Sequence, residues 1–133
     1  MINTKIKYIF LSNNTIHHVG GLPYLLKGDR FKDTEIYTTT PISKLGFYII
    51  LDAVISKLDV EEFLHFNDTD ITEAFLRLKE LNYDQKVKLN HNHTEILISP
   101  VSSGYSIGGC AWKIIYNRKT IIYAPQISID SKK

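Results

Sequence analysis

The chain has 133 residues, of which 44% are hydrophobic, and this is typical of one globular domain, or part of one, that buries a core. The composition excludes disordered and fibrous proteins, and a formal net charge of +2 does not by itself argue for direct contact with nucleic acid. The single cysteine, Cys110, excludes a disulfide within these residues, fits a reducing compartment and is predicted to be buried.

The first half of the chain predicts two strands and two helices. The apolar spacing and the turn residues place them at residues 6–11 (strand), 18–27 (helix), 35–38 (strand) and 42–58 (helix). Thr40 and Pro41 are a strong start for the second helix, because threonine caps free amides and proline fits the first turn. No run reaches the roughly twenty apolar residues of a membrane helix and none resembles a secretory signal, so we expect no membrane contact.

The second half predicts one helix and two hairpins. We place them at residues 70–81 (helix), 85–89, 95–99, 110–116 and 120–124 (strands). Asp70 and Glu73 resemble a capping box at the start of this helix. Polar turns at residues 90–93 and 117–119 join the strands of each hairpin. The predicted fold is a layered α+β arrangement of the αββα type, in which a mixed sheet packs against helices.

Residues 11–25, LSNNTIHHVGGLPYL, follow the first strand and resemble the signature loop of the metallo-β-lactamase/β-CASP family of RNA-cleaving nucleases. In that family H-x-H-x-D-H, a set of metal ligands, precedes a helix that begins with small residues and Leu-Pro. Anchored on His18 and the Gly-Gly-Leu-Pro after it, the two leading histidines fall on Asn13 and Thr15. The acidic residue falls on His17, so only His18 keeps the family's residue type.

Two further loops carry the same resemblance. In residues 100–109 the family's next metal-binding histidine falls on Tyr105, and in residues 122–126 its metal-bridging aspartate falls on Gln126. Zinc requires three or four imidazole, thiolate or carboxylate ligands, and these replacements supply few of them. The resemblance therefore implies no catalytic residue, no metal and no cofactor, with degenerate ligand positions at Asn13, Thr15, His17, His18, Tyr105 and Gln126.

The resemblance is strongest to noncatalytic members of the family. It extends over residues 36–41, 44–46, 81–85 and 107–114, and Gly-Gly-x-x-Trp-Lys-Ile at 108–114 is its most specific part. It implies a structural subunit of the nuclear machinery that cleaves and polyadenylates pre-mRNA, paired with an active nuclease paralogue and scaffold subunits, and reaching RNA through that complex. Residues 102–105 look more like an inactive subunit of the Integrator complex, which is the alternative.

The resemblance covers only the middle of the first half of such a domain. We therefore expect residues 1–133 to be a fragment that lacks the N-terminal strands, the inserted β-CASP domain and the second half. Hydrophobic faces that those parts cover would then be exposed, or paired with another copy in a homodimer.

A function from a different class is a divergent metal-dependent hydrolase that uses His17, His18, His91 and His93. An ordinary pair of residues at a helix start explains His17 and His18 more simply, and a solvated turn explains His91 and His93. Residues 104–109 are more typical of a tight turn than of a phosphate cradle, and Trp112 of core packing than of base stacking. A solvated face, rather than an RNA-binding one, is expected for Lys86, Lys88, Lys113, Arg118 and Lys119.

Overall fold

The computed structural model describes residues 5–58 and 65–129. The elements, in chain order, are β1 (Tyr8–Phe10), α1 (Ile16–Val19), α2 (Leu22–Leu26), a 3-10 helix (Asp29–Phe31), β2 (Glu35–Thr39), α3 (Thr40–Leu58), α4 (Asp68–Leu76), β3 (Leu78–Leu81), β4 (Val87–His91), β5 (Thr94–Ser102), β6 (Cys110–Tyr116) and β7 (Lys119–Tyr123). Helices accompany parallel and antiparallel strands, so the predicted α+β class is confirmed.

The strands form two sheets that enclose the core. The first has the order β1-β2-β3 and is parallel, and the second has the order β4-β5-β6-β7 and is antiparallel. Phe10 of the first sheet meets Trp112 of the second with ring centroids 5.0 Å apart, and it also stacks on Tyr37 at 5.9 Å. Trp112 is 1% exposed, so its predicted role in the core is confirmed.

Helix α3 follows β2 without a loop and packs on the first sheet. It begins at Thr40, as the Thr-Pro pair predicts. Its buried residues Ile42, Gly46, Ile50 and Val54 recur every four positions and so share one face of the helix. Parallel strands need such a crossover between them, and α3 with α4 connects β2 to β3.

The helix predicted at residues 70–81 is wrong at both ends. α4 begins after Asn67, whose side chain accepts the Asp70 N–H at 3.0 Å while the Asp70 carboxylate accepts the Asn67 N–H at 2.9 Å. The helix ends at Leu76, and β3 begins at Leu78 and pairs with β2. Leu78 and Leu81 are buried, and their spacing of three is that of one helical face, so only pairing with β2 identifies the strand.

The helix predicted at residues 18–27 is divided into α1 and α2 around Gly20 and Gly21. Both predicted hairpins are present; the strand at residues 110–116 has the predicted ends, and the ends of the other three lie one to three residues from the predicted ones. Their two-residue turns, Asn92-His93 and Asn117-Arg118, have φ between 46° and 62°, as the tight turns that suit twisted strands require. β5 continues to Ser102, so the loop predicted at residues 100–109 is shorter.

The domain boundaries expected from the resemblance stay a prediction.

Among the helices of residues 5–58 and 65–129, none combines the length and the apolar content needed to cross a membrane.

Candidate functional site

Three chain segments converge where β1 ends. The loop after β1 is joined to the start of β6 by a hydrogen bond from the Cys110 N–H to the Ser12 carbonyl, 2.9 Å long. The segment after β7 is joined to the turn before β6, because the Ser128 N–H donates to the Ser103 carbonyl at 2.9 Å. These are the three loops in which the sequence places degenerate metal-ligand positions. They surround the carboxyl end of a parallel strand, where sites of open α/β sheets are usually built.

Asn13 occupies the centre of this convergence and is 2% exposed. Its side-chain amide donates a hydrogen bond to Oε1 of Gln126, 113 positions along the chain. Its Oδ1 accepts the backbone N–H of Asn14 at 2.7 Å and the Ser106 hydroxyl at 3.2 Å. The structure thus brings two of the predicted positions, Asn13 and Gln126, into direct contact. Neutral groups satisfy both ends of the Asn13 amide, and we call Asn13, Ser106 and Gln126 the amide cluster.

The other predicted positions surround the amide cluster without joining it. Thr15 and His18 bind each other, with 2.8 Å between the Thr15 hydroxyl and Nδ1 of His18. His17 is exposed on α1. Tyr105 lies in the same turn as Ser106, but its side chain is 56% exposed.

The turn at residues 103–109 is held by hydrogen bonds from the end of β2 and from the segment after β3, and it packs on the start of α3. The Thr39 hydroxyl donates to the Gly108 carbonyl at 2.7 Å, and the Tyr83 hydroxyl donates to the Gly109 carbonyl at 3.0 Å. Gly108 has φ +79°, and a Cβ there would lie 2.6 Å from Cβ of Pro41. The site therefore depends on glycine at this position.

Sequence reasoning missed Thr39, Ser103 and Ser106 as parts of this site. Their hydroxyls contact a carbonyl, a turn amide and Asn13 respectively. The only local signal was the run of serines and glycines at residues 102–109, which indicated a tight turn but not its neighbours.

The four histidines of the alternative hydrolase do not lie at one site: His17 and His18 are far from His91 and His93. β5 has nine residues and so spans about 27 Å. The loop after β1 lies at its Ser102 end, whereas His91 and His93 lie beside Thr94, next to the hydrogen bond from Lys7 to the Asn90 carbonyl. In residues 5–58 and 65–129 no group of three or more His, Cys, Asp or Glu side chains could hold a metal ion.

The donors at the convergence do not fit the zinc of this fold. Two amides, two hydroxyls and a phenol bring no anionic charge. Of the two imidazoles around them, His18 already binds Thr15 and His17 is exposed on α1. Cys110 is nearby, but burial raises the pKa of its thiol to about 12, so it stays protonated and points at the Leu11 carbonyl, 3.7 Å away. The chemistry this arrangement supports is mutual hydrogen bonding between loops.

Comparison with known families agrees with this architecture. The family model described as a metallo-beta-lactamase superfamily domain matches residues 1–132. The chain belongs to the metallo-β-lactamase superfamily.

Several curated relatives carry the same name. The chain is 34% identical over 117 residues to a probable cleavage and polyadenylation specificity factor subunit 2 of Drosophila melanogaster, covering 87% of this chain and 15% of the relative. It is 36% identical over 110 residues to the protein of that name in Caenorhabditis briggsae, covering 83% and 13%. It is 31% identical over 123 residues to cleavage and polyadenylation specificity factor subunit 2 of Arabidopsis thaliana, covering 92% and 16%. The chain thus spans about one seventh of the length of these relatives.

Proposed function

We propose that this chain is a noncatalytic, structural part of the machinery that forms the 3′ ends of pre-mRNA. The observation that carries the proposal is the amide cluster. At two positions that the resemblance aligns with the family's metal ligands, Asn13 and Gln126 bind each other, and Ser106 binds Asn13.

The absence of charge in the amide cluster is the physical reason for a noncatalytic role. A divalent ion must exchange its hydration shell for protein ligands, and neutral amide oxygens offset that loss poorly. The Asn13 amide already makes hydrogen bonds through both its nitrogen and its oxygen, so an ion would have to break existing hydrogen bonds. In the proposed role, hydrogen bonds hold together the three loops that metal ligation holds together in active relatives.

The names of the relatives support the assignment to pre-mRNA cleavage and polyadenylation over the Integrator complex. In this role the chain is part of a nuclear subunit that associates with a catalytically active nuclease paralogue and with scaffold subunits, and it reaches RNA through them. The separation of His17 and His18 from His91 and His93 argues against the hydrolase alternative.

RNA cleavage tests the noncatalytic part of the proposal. We expect the chain to leave a labelled pre-mRNA uncut at high protein concentration with added zinc or manganese. The matched variant restores the family's ligand types through Asn13→His, Thr15→His, His17→Asp, Tyr105→His and Gln126→Asp. Cleavage by the original chain that a chelator abolishes would contradict the proposal, and cleavage by the restored variant alone would support it.

Affinity purification tests the complex. A tagged form of the full parent protein, expressed in its own cells, is expected to enrich the nuclease of the cleavage and polyadenylation machinery over that of Integrator, as measured by quantitative mass spectrometry against a tag-only control. Preferential enrichment of the Integrator nuclease would contradict the assignment.

A further inference from the structure

Helix α3 has a second apolar face that the described part of the chain leaves uncovered. Leu45, Tyr48, Ile49 and Ile55 are 39%, 66%, 36% and 51% exposed. With Asp52, which is also exposed, they lie at spacings of three, four, seven and ten residues from Leu45 and so form one stripe along the helix. We call these five residues the outer stripe.

The outer stripe is distinct from the face that packs on the sheet. That face consists of Ile42, Gly46, Ile50 and Val54, which are all buried. A helix that is apolar all round is typical of burial on both sides, yet α3 is buried on one side only. Leu45, Tyr48, Asp52 and Ile55 have the alternating three- and four-residue spacing of the contact positions between paired helices.

The outer stripe is complementary to itself when a second helix runs antiparallel to it. A two-fold axis at the level of Ile50 places Leu45 opposite Ile55 of the other copy and Tyr48 opposite Asp52, and symmetry repeats both contacts. The Tyr48 phenol can then donate to the Asp52 carboxylate at two places, which fixes the register of the pair. A parallel pair would instead place Asp52 opposite Asp52 and bring like charges together.

We propose that the outer stripe is an interface for a second copy of this chain, formed by two antiparallel α3 helices. The interface buries apolar surface of Leu45, Ile49 and Ile55 and takes its direction from the pairing of Tyr48 with Asp52. α3 has 19 residues and is about 28 Å long, so the contact lies at the small end of specific interfaces. The pair therefore dissociates on dilution. This inference does not rest on the proposed function, because it uses no residue of the amide cluster.

Sedimentation velocity on the 133-residue chain tests the association. We expect the sedimentation coefficient to rise from the monomer toward the dimer value between about 5 and about 200 μM, the range of a weak complex. Ile55→Lys is expected to stay monomeric. Ile107→Lys, at an exposed isoleucine outside α3, is the control for the added charge and is expected to behave like the original chain.

A monomer at every concentration, including one that binds a different protein through α3, would overturn the proposal. Equal loss of association in both lysine variants would overturn it as well.

Cross-linking tests the direction of the helices without a charge substitution. Leu45→Cys and Ile55→Cys are prepared separately, mixed and treated with a short bismaleimide; Cys110 is buried and stays unlabelled. The antiparallel pair predicts that the mixed product, Cys at position 45 joined to Cys at position 55, exceeds either product of like with like by several-fold. Random pairing of equal amounts already gives twice as much mixed product as either product of like with like, so a mixed product at or below that twofold ratio would contradict it.

Discussion

The backbone N–H of Cys110 donates to the carbonyl oxygen of Ser12, and this 2.9 Å hydrogen bond joins the two sheets beside the amide cluster. Ser12 follows β1 of the first sheet, and Cys110 begins β6 of the second. The bond fixes the position of the loop after β1 relative to the turn before β6, so that the Ser106 hydroxyl reaches Asn13. Because β6 also brings Trp112 against Phe10, the core and the site depend on the same sheet-to-sheet contact.

Replacing Asn13 with alanine is expected to destabilise the protein by about 1–3 kcal/mol, because half-buried partners on Gln126, Ser106 and the Asn14 N–H lose their bonds together. Denaturant unfolding, followed by circular dichroism, measures the change. Asn14→Ala is the matched control, since the side chain of Asn14 makes none of these three bonds. Equal effects of the two substitutions would show that the amide cluster contributes little to stability.

Gly108→Ala is expected to destabilise the protein by about 1–3 kcal/mol. The new Cβ would lie 2.6 Å from Pro41 Cβ, and the positive φ of +79° is strained for alanine. Thermal unfolding compares this variant with Gly28→Ala, where a Cβ would meet nothing within 4 Å. A Gly108→Ala protein as stable as the Gly28→Ala control would be evidence against the packing of the turn on α3.

Glu35 makes part of the stability depend on pH. Hydrogen bonds from Lys79 and then from Tyr37 hold the pKa of this carboxyl below its ordinary value of 4.5. Since the pKa is lowered in the folded state, the stabilisation is present above pH 4.5 and is lost as the pH falls through the folded value. Solvent screening limits it to no more than about 1 kcal/mol.

Glu35→Gln should therefore be less stable than the original chain at pH 7 and approach it as the pH falls below 4.5, measured as the free energy of unfolding. Glu73→Gln, at an exposed position on α4, is the control for loss of one negative charge. A difference between Glu35→Gln and the original chain that grows on acidification would contradict the sign.

Cys110 is expected to react with thiol reagents only when the protein unfolds. It is 1% exposed, and burial raises its pKa to about 12, so little thiolate forms at pH 8. Labelling by a chromogenic disulfide across a denaturant series should follow the unfolding curve. Ile107→Cys adds an exposed thiol that reacts at once and serves as the reference. Rapid labelling of Cys110 in native buffer would mean that the sheet-to-sheet contact opens locally.

The sequence predicts the elements whose signals are local. Thr40-Pro41 marks the start of α3, and polar turns mark both hairpins, because capping and turn conformation depend on neighbouring residues. β3 was missed because one helical apolar pattern runs from Ile71 to Leu81. Only pairing with β2 makes Leu78–Leu81 a strand. Long-range pairing of this kind leaves no mark in a short window of sequence.

The amide cluster is a stronger case of the same limit. Asn13 and Gln126 are 113 positions apart, and neither asparagine nor glutamine by itself indicates a functional site. Only the resemblance to a family of metal-binding nucleases placed both at ligand positions, and it could not show that they bind each other. The serine at position 106 completes the amide cluster through a turn whose shape depends on Thr39 and Pro41.

Zinc binding to the purified chain tests the central claim most directly, because that claim concerns which donors converge beside Asn13. Elemental analysis after purification without chelator, followed by calorimetric titration, is expected to find no stoichiometric zinc and no saturable heat at micromolar concentrations. One zinc ion per chain bound with micromolar or better affinity, and lost in Asn13→Ala and Gln126→Ala, would contradict the account.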